Sequence, residues 1–185
     1  MTDKRSDIVA ASVELVQQDG LAGLTQPRVA RRIGLRQSHI TYYFPTRDDL
    51  VAAVAASAVE RRIGALARML SAPTVEEKIG VLVSVLLDPG QTRVLLALTQ
   101  IADTTPELRS HFGALAAGIG PIAADLLSAA GAEVSAEAIA LLQTTSTGLA
   151  VVALANGAGD ERTTILLLHR LVHSFPSRQT DKDPT

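Results

Sequence analysis

The sequence contains no cysteine, and aromatic residues make up only 3% of its 185 positions. Without cysteine there can be no disulfide, no thiolate nucleophile and no cysteine-based metal site. With apolar residues at 47% but few aromatics, a core has to be assembled from Ala, Leu, Val and Ile. A mixture rich in Ala and Leu favours helices over sheets. Long apolar runs are also scarce. The most apolar stretch, Leu149 to Ala155, is far too short to span a bilayer. The first residues, Met-Thr-Asp-Lys-Arg-Ser-Asp, lack the apolar core and cleavage site of a signal peptide. The expectation is a soluble cytoplasmic protein with no membrane partner. A further absence is local: between Leu21 and Arg47 no residue is acidic, while Arg28, Arg31, Arg32, Arg36 and Arg47 are basic. From Asp48 onward acidic residues outnumber basic ones, and the net charge is -2. A basic segment on an otherwise acidic chain suggests a confined polyanion-binding face. Charge alone does not distinguish it from a solvated arginine-bearing helix.

What is present is helical punctuation. Apolar residues from Asp7 to Gln18 fall at helical spacing and Gly20 follows as a stop. A second helix is predicted over Thr25–Ile33, with Thr25 as N-cap and Pro27 tolerated in the first turn. Val29, Ala30 and Ile33 lie on one side of it and Arg28, Arg31 and Arg32 spread over the other. Gly34 closes it by supplying a φ > 0 residue. A third helix starts near Arg36 or Gln37 and ends before Pro45, because a residue preceding proline is pushed out of the α region. A long helix over 46–71 follows, and five more are predicted at roughly Val75–Leu87, Gln91–Asp103, Pro106–Ala130, Ser135–Asn156 and Glu161–Phe175. Pro121 predicts a kink or a split. No repeat or low-complexity segment is evident. The fold class is therefore all-α with about nine helices. Residues 1–50 form an N-terminal three-helix domain, 51–175 a C-terminal helical domain, and 176–185 a polar tail expected to be disordered.

Two short helices joined by a Gly-containing turn match a helix-turn-helix, which lays its second helix in the DNA major groove. In the third helix Ile40 and Phe44 are the apolar anchors. Arg36, Gln37, Ser38, His39, Thr41, Tyr42 and Tyr43 can make phosphate hydrogen bonds, base-edge bonds or apolar contacts to thymine methyls. Thr25 and Thr46, with the N–H groups they cap, offer phosphate sites at helix N-termini, and Arg47 a backbone grip. Gln26 and Arg28, in the first turn of the second helix, complete the candidate DNA-facing set.

These residues resemble the TetR family of bacterial transcriptional regulators. The family's usual run is a Thr-capped helix, Ile-Ala-x-x-Ala-Gly-Val, a few polar residues, an aliphatic-Tyr-x-His/Tyr-Phe run and Ser-Lys-x-x-Leu. Here it reads Val29-Ala30-Arg31-Arg32-Ile33-Gly34-Leu35, then Ile40-Thr41-Tyr42-Tyr43-Phe44, then Thr46-Arg47-Asp48-Asp49-Leu50. Thr41 is a departure, since the family usually has tyrosine there. The match covers about the first 60 residues; the remainder agrees in length, helix count and the long linking helix.

The resemblance implies a homodimer that presents two recognition helices to a roughly palindromic operator, with half-sites about 34–36 Å apart. Leu141, Leu142, Leu149, Val152 and Ala153 on the eighth helix, with Ile165, Leu168, Leu171 and Val172 on the ninth, are the interface candidates, the alternative being that both helices are central core. The resemblance also implies a C-terminal small-molecule pocket. Its candidate lining is Thr99, Gln100, Asp103 and His111, together with Gln143, Thr144 and Thr147 in an otherwise apolar helix. That polar cluster could equally satisfy itself through backbone bonds. The shortage of aromatics argues against a stacking cage for flat cations and favours an aliphatic effector.

Other patterns carry less. Gly118-Ile119-Gly120-Pro121-Ile122-Ala123 fits a dinucleotide-binding pattern by letters, but no strand precedes it. His169 and His173 could ligate a metal at i,i+4, yet no third ligand is evident. No Ser, His and Asp lie in a nucleophile-elbow context. No catalytic residue, cofactor or metal is therefore expected. The leading expectation is a ligand-responsive dimeric repressor. The alternatives are an activator, a regulator without effector, or an all-α small-molecule-binding protein or enzyme without DNA binding.

Overall fold

The computed structural model describes residues 3–157 and 159–178. Nine α-helices run through them: α1 (Lys4–Asp19), α2 (Gln26–Arg32), α3 (Gln37–Tyr43), α4 (Arg47–Ala67), α5 (Val75–Leu86), α6 (Pro89–Thr104), α7 (Arg109–Ala129), α8 (Ala136–Ala155) and α9 (Glu161–Ser174). The all-α class expected from the composition is what the chain adopts. The helices begin where polar caps satisfy first-turn N–H groups. Asp3, Thr74, Asp88, Ser135 and Asp160 each accept from a backbone N–H of the helix that follows. Gly20, Gly34, Gly131 and Gly157 all have positive φ; Gly34, at +67°, ends α2 in the way its position predicted.

Two helix expectations are refined. The long helix over 46–71 is α only as far as Ala67, and its last turn, Arg68–Ser71, tightens to 3-10 geometry. The helix containing Pro121 does not split there. Ile122, Ala123, Leu126 and Leu127 after the proline are all buried, and that packing outweighs the single hydrogen bond that proline removes. The predicted tail is tied down at its start. The Glu133 N–H donates to the Pro176 carbonyl at 2.7 Å, and the Arg178 N–H to that of Gly131 at 3.0 Å. Gly131 (φ +75°) opens the turn after α7 and leaves these backbone groups for the chain end to pair with. The rest of the predicted tail, 179–185, lies outside the described residues.

Contacts divide the chain into two compact units. One comprises the chain up to Gly64 together with Asp88–Ala116; the other comprises Ala65–Leu87 together with the chain from Ala117 onward. In the first unit α6 packs on α1, and Arg93 Nη1 donates to the Gln17 carbonyl near the end of α1 at 3.0 Å. Arg62 of α4 is buried and donates to the Gln91 carbonyl at 3.2 Å. Burial lowers its pKa, while the charge of Asp88 works in the opposite direction. In the second unit α5 packs with α8 and α9. The buried Lys78 ammonium donates to Asp125 at 2.6 Å and to the Met69 carbonyl at 2.8 Å, so the charge is both paired and hydrogen-bonded.

Among the described residues two helical stretches are long and apolar enough to cross a membrane, Pro106–Ala129 (mean hydropathy 1.5) and Ala136–Ala155 (mean hydropathy 1.7). Neither is an uninterrupted apolar run: Gly and Ser punctuate the first, and Gly, Ser and Thr the second, while few charges do.

Candidate nucleic-acid interface

The basic stretch folds as the α1–α3 bundle. Val29 and Ala30 of α2, Ile40 of α3 and Phe44 just beyond it are buried with Ile8, Val13, Leu15 and Val16 of α1. Ile40 and Phe44 are thus the anchors their spacing predicted, and α3 buries only Ile40. Gln37, Ser38, His39, Thr41 and Tyr42 are exposed, Tyr42 by 80%. Tyr43 is half-buried and meets Tyr42 edge-on, with ring centroids 5.1 Å apart. The guanidinium of Arg5 lies 5.0 Å from the centroid of the Phe44 ring. No sequence signal links two residues so far apart, and the sequence reading missed Arg5.

The five arginines separate into two groups. Arg28 pairs with Asp19. Arg32 bonds Glu14 at 2.9 Å and Gln18 at 2.8 Å. Both hold α2 to α1, which gives Arg28 a partner that its candidacy as a DNA contact did not foresee. Arg31, Arg36 and Arg47 are exposed and form no ion pair among the described residues. They are the guanidinium groups open to a polyanion.

Three other candidates are engaged within the bundle. Thr25 occupies the N-cap of α2 through its backbone, its carbonyl accepting from the Val29 N–H at 3.0 Å, without a side-chain cap bond. Gln26 Nε2 donates to the Phe44 carbonyl at 3.1 Å. Thr46 forms a reciprocal cap with Asp49. Its hydroxyl donates to Asp49 Oδ2 at 2.7 Å and accepts from the Asp49 N–H at 3.0 Å, and its own N–H donates to the same carboxylate at 3.0 Å. The hydroxyl bond, then the N–H bond, holds the Asp49 pKa below its usual value. Thr46 therefore has its donors already committed, and Arg47 beside it is the open group.

The effector candidates are not gathered within one unit. Thr99, Gln100 and Asp103 are exposed on α6 and His111 is half-buried on α7, all in the first unit. The Thr99 hydroxyl donates to the Leu95 carbonyl at 3.0 Å. Gln143 is half-buried, and Thr144 and Thr147 are exposed, on α8 in the second unit. Between them Ser146, part of the same polar cluster, is buried with no hydrogen-bond partner for its Oγ.

The dimer candidates differ in exposure. Leu142, Leu168 and Val172 are buried in the chain itself, so no partner can reach them. Leu149, Ala153 and Leu171 are half-buried, and Val152 is 58% exposed. The exposed apolar residues of the same helices are Leu141, Val152, Ile165, Leu166 and Leu167. His169 and His173 lie with ring centroids 4.4 Å apart, and His169 is 3.9 Å from Glu76.

A short anchored helix with an exposed polar face, set behind a glycine turn, defines a helix-turn-helix protein. Residues 8–54 match the sequence profile of bacterial regulatory proteins, tetR family, so the resemblance read from Thr25 to Leu50 holds. Solved structures agree over nearly the whole chain. A member of the TetR family from Streptomyces coelicolor A3 is 26% identical, with 92% of this chain and 98% of that one covered and a TM-score of 0.66. The multidrug binding protein EbrR, complexed with imidazole, is also 26% identical, with 97% and 99% covered and a TM-score of 0.70. A transcriptional regulator from Rhodococcus sp. Rha1 shares the fold at 20% identity, with 94% and 96% covered and a TM-score of 0.77. A comparison with curated proteins gives no match. The chain has the fold of TetR-family transcriptional regulators, and its N-terminal segment carries their helix-turn-helix.

Proposed function

We propose that this protein is a cytoplasmic, homodimeric repressor that binds a roughly palindromic operator through α3 and leaves it when a small, largely apolar effector binds. The observation that carries the DNA reading is the exposed polar face of α3, flanked by the unpaired Arg31, Arg36 and Arg47 and held by the buried Ile40 and Phe44. Gln37, Ser38, His39 and Tyr42 are the base-reading candidates, and Arg36 and Arg47 the phosphate contacts. In this reading residues 1–50 are the DNA-binding domain and the chain beyond them holds effector and partner.

Self-association is supported by the apolar residues that α8 and α9 leave exposed, Leu141, Val152, Ile165, Leu166 and Leu167. Covering it with a second copy also accounts for the hydropathy of α8 without a membrane. The effector reading draws on Ser146 Oγ, a buried polar atom awaiting a partner, and on EbrR, whose description is multidrug binding. EbrR is also known complexed with proflavin; the low aromatic content here favours an aliphatic ligand instead. An effector that prefers the non-binding conformation tenfold shifts the equilibrium by about 1.4 kcal/mol.

The test is selection of bound duplexes from a random DNA pool, followed by titration of the selected complex with candidate metabolites. A palindromic sequence should be enriched, and Arg47→Gln should weaken binding on all sequences and reduce the salt slope by about one unit. A pool that yields no enriched sequence refutes the regulator reading.

A further inference from the structure

Gln26 and Thr41 face each other across the helix-turn-helix. Gln26 is the first residue of α2, and Thr41 lies in the last turn of α3. Gln26 Nε2 donates to the Phe44 carbonyl at 3.1 Å, and Gln26 Oε1 accepts from the Thr41 hydroxyl at 3.4 Å. The hydroxyl also lies 3.2 Å from the Gln37 carbonyl, so its proton is shared between a bond within α3 and a bond to α2. The Phe44 carbonyl fixes the orientation of the amide, because the opposite orientation would set two acceptor oxygens against each other. Phe44 is the C-cap of α3, so its carbonyl has no partner in the helix, and Gln26 supplies one.

We infer that Gln26 and Thr41 are a positioning pair that sets the rotation of α3 against α2, and thereby which α3 side chains reach base edges. The inference rests on the regulator reading above. It moves Gln26 from the DNA-contacting set to the frame behind it, since both ends of its amide are engaged with α3. It also gives a physical meaning to Thr41. Tyrosine at that position would carry its hydroxyl on the far side of a ring, well beyond the reach of Gln26 Oε1. Ile40 and Phe44 fix the depth of α3 in the bundle, but two apolar contacts on one side permit rolling. A polar link from the N-terminal turn of α2 to the C-terminal turn of α3 opposes it.

The test uses the full chain and the duplex selected by the wild type. Affinity for that duplex and for a scrambled one is measured against salt for Thr41→Val, Thr41→Ser, Gln26→Leu and the Gln26→Leu/Thr41→Val pair, with helical content and melting followed in parallel. A hydrogen bond of ordinary net strength corresponds to about a fivefold change. Thr41→Val and Gln26→Leu should therefore each lower the selected-to-scrambled ratio about fivefold, with scrambled binding and salt slope unchanged. Thr41→Ser should match the wild type, and the double variant should lose little more than either single one. Unchanged ratios overturn the inference, as does Thr41→Ser behaving like Thr41→Val. A loss in Gln26→Leu confined to one base pair, with Thr41→Val silent, makes Gln26 a direct base contact and also overturns it. If the wild type selects no duplex, the regulator reading fails and this inference with it. A wild type that selects normally beside silent variants removes this inference alone.

Discussion

Helices α3 and α8 are both largely uncovered, and their bare surfaces have opposite chemistry. In α3 only Ile40 is buried; the rest presents hydroxyls, amides and an imidazole. In α8, 20 residues long, the buried stripe is Ala138, Leu142, Ser146 and Ala150, and the open surface includes Leu141 and Val152. Each buried stripe is narrow, so much of either helix lies outside the core of its own chain. Hydrogen-bond donors beside unpaired guanidinium groups suit a polyanion. A bare aliphatic face suits another aliphatic face. Incomplete burial thus marks a candidate working surface, and the chemistry of the bare side indicates the partner it suits.

The comparison can be broken most severely at an anchor. Phe44 is 1% exposed, and Phe44→Ala should cost about 3–5 kcal/mol, a large part of a typical domain's stability. Denaturant melts should show an early loss of helix and DNA selection should fail, while self-association persists. DNA binding retained in that variant would mean that α3 is not held as described. A smaller effect is expected on the apolar side. Val152→Glu should weaken self-association at least about tenfold, or about 1.4 kcal/mol, as read by sedimentation, with helical content kept because Val152 packs against little in its own chain. A dimer of undiminished affinity would place the interface elsewhere.

The smallest effect concerns the start of α4. The Asp49 pKa is depressed by Thr46, so its stabilising contribution is complete above the ordinary carboxylate range. It is lost as pH falls through the depressed value. Asp49→Asn should therefore lower the melting temperature slightly at neutral pH, converge with the wild type at acid pH and so flatten the acid limb of the profile. A steeper acid limb in the variant would show that the Thr46–Asp49 cap is not what titrates there.

The α1–α3 bundle was legible because its signals are local. Gly34, Pro45, Thr25 and the Ile40–Phe44 spacing each constrain the backbone within one turn of themselves. The partners of Arg28, Gln26 and Thr46 were not legible. Each is chosen by where a flexible side chain lands after the helices pack, and Asp19, Phe44 and Asp49 carry no mark that they will accept. In α8 the failure has another cause. The helix is apolar nearly all round, so periodicity located a helix without indicating which side turns inward, and its candidates include the buried Leu142 as well as the exposed Leu141 and Val152. In α9 the spacing of Leu168, Leu171 and Val172 did describe a stripe, but the stripe faces the chain's own core. The polar residues proposed for an effector stand in separate compact units, a grouping that spacing along the chain does not encode.

The packing of α6 on α1, with Arg93 bonded to the Gln17 carbonyl, bears on how this protein can be taken apart. A fragment ending after Phe44 or Leu50 would strip the cover from α1 and leave Gln17 without its guanidinium. Transplanting the DNA specificity of this chain onto another regulator therefore requires two pieces, the first 64 residues and the stretch from Asp88 to Ala116. A hybrid joined at the end of the motif alone should express as an aggregating head on a sound body.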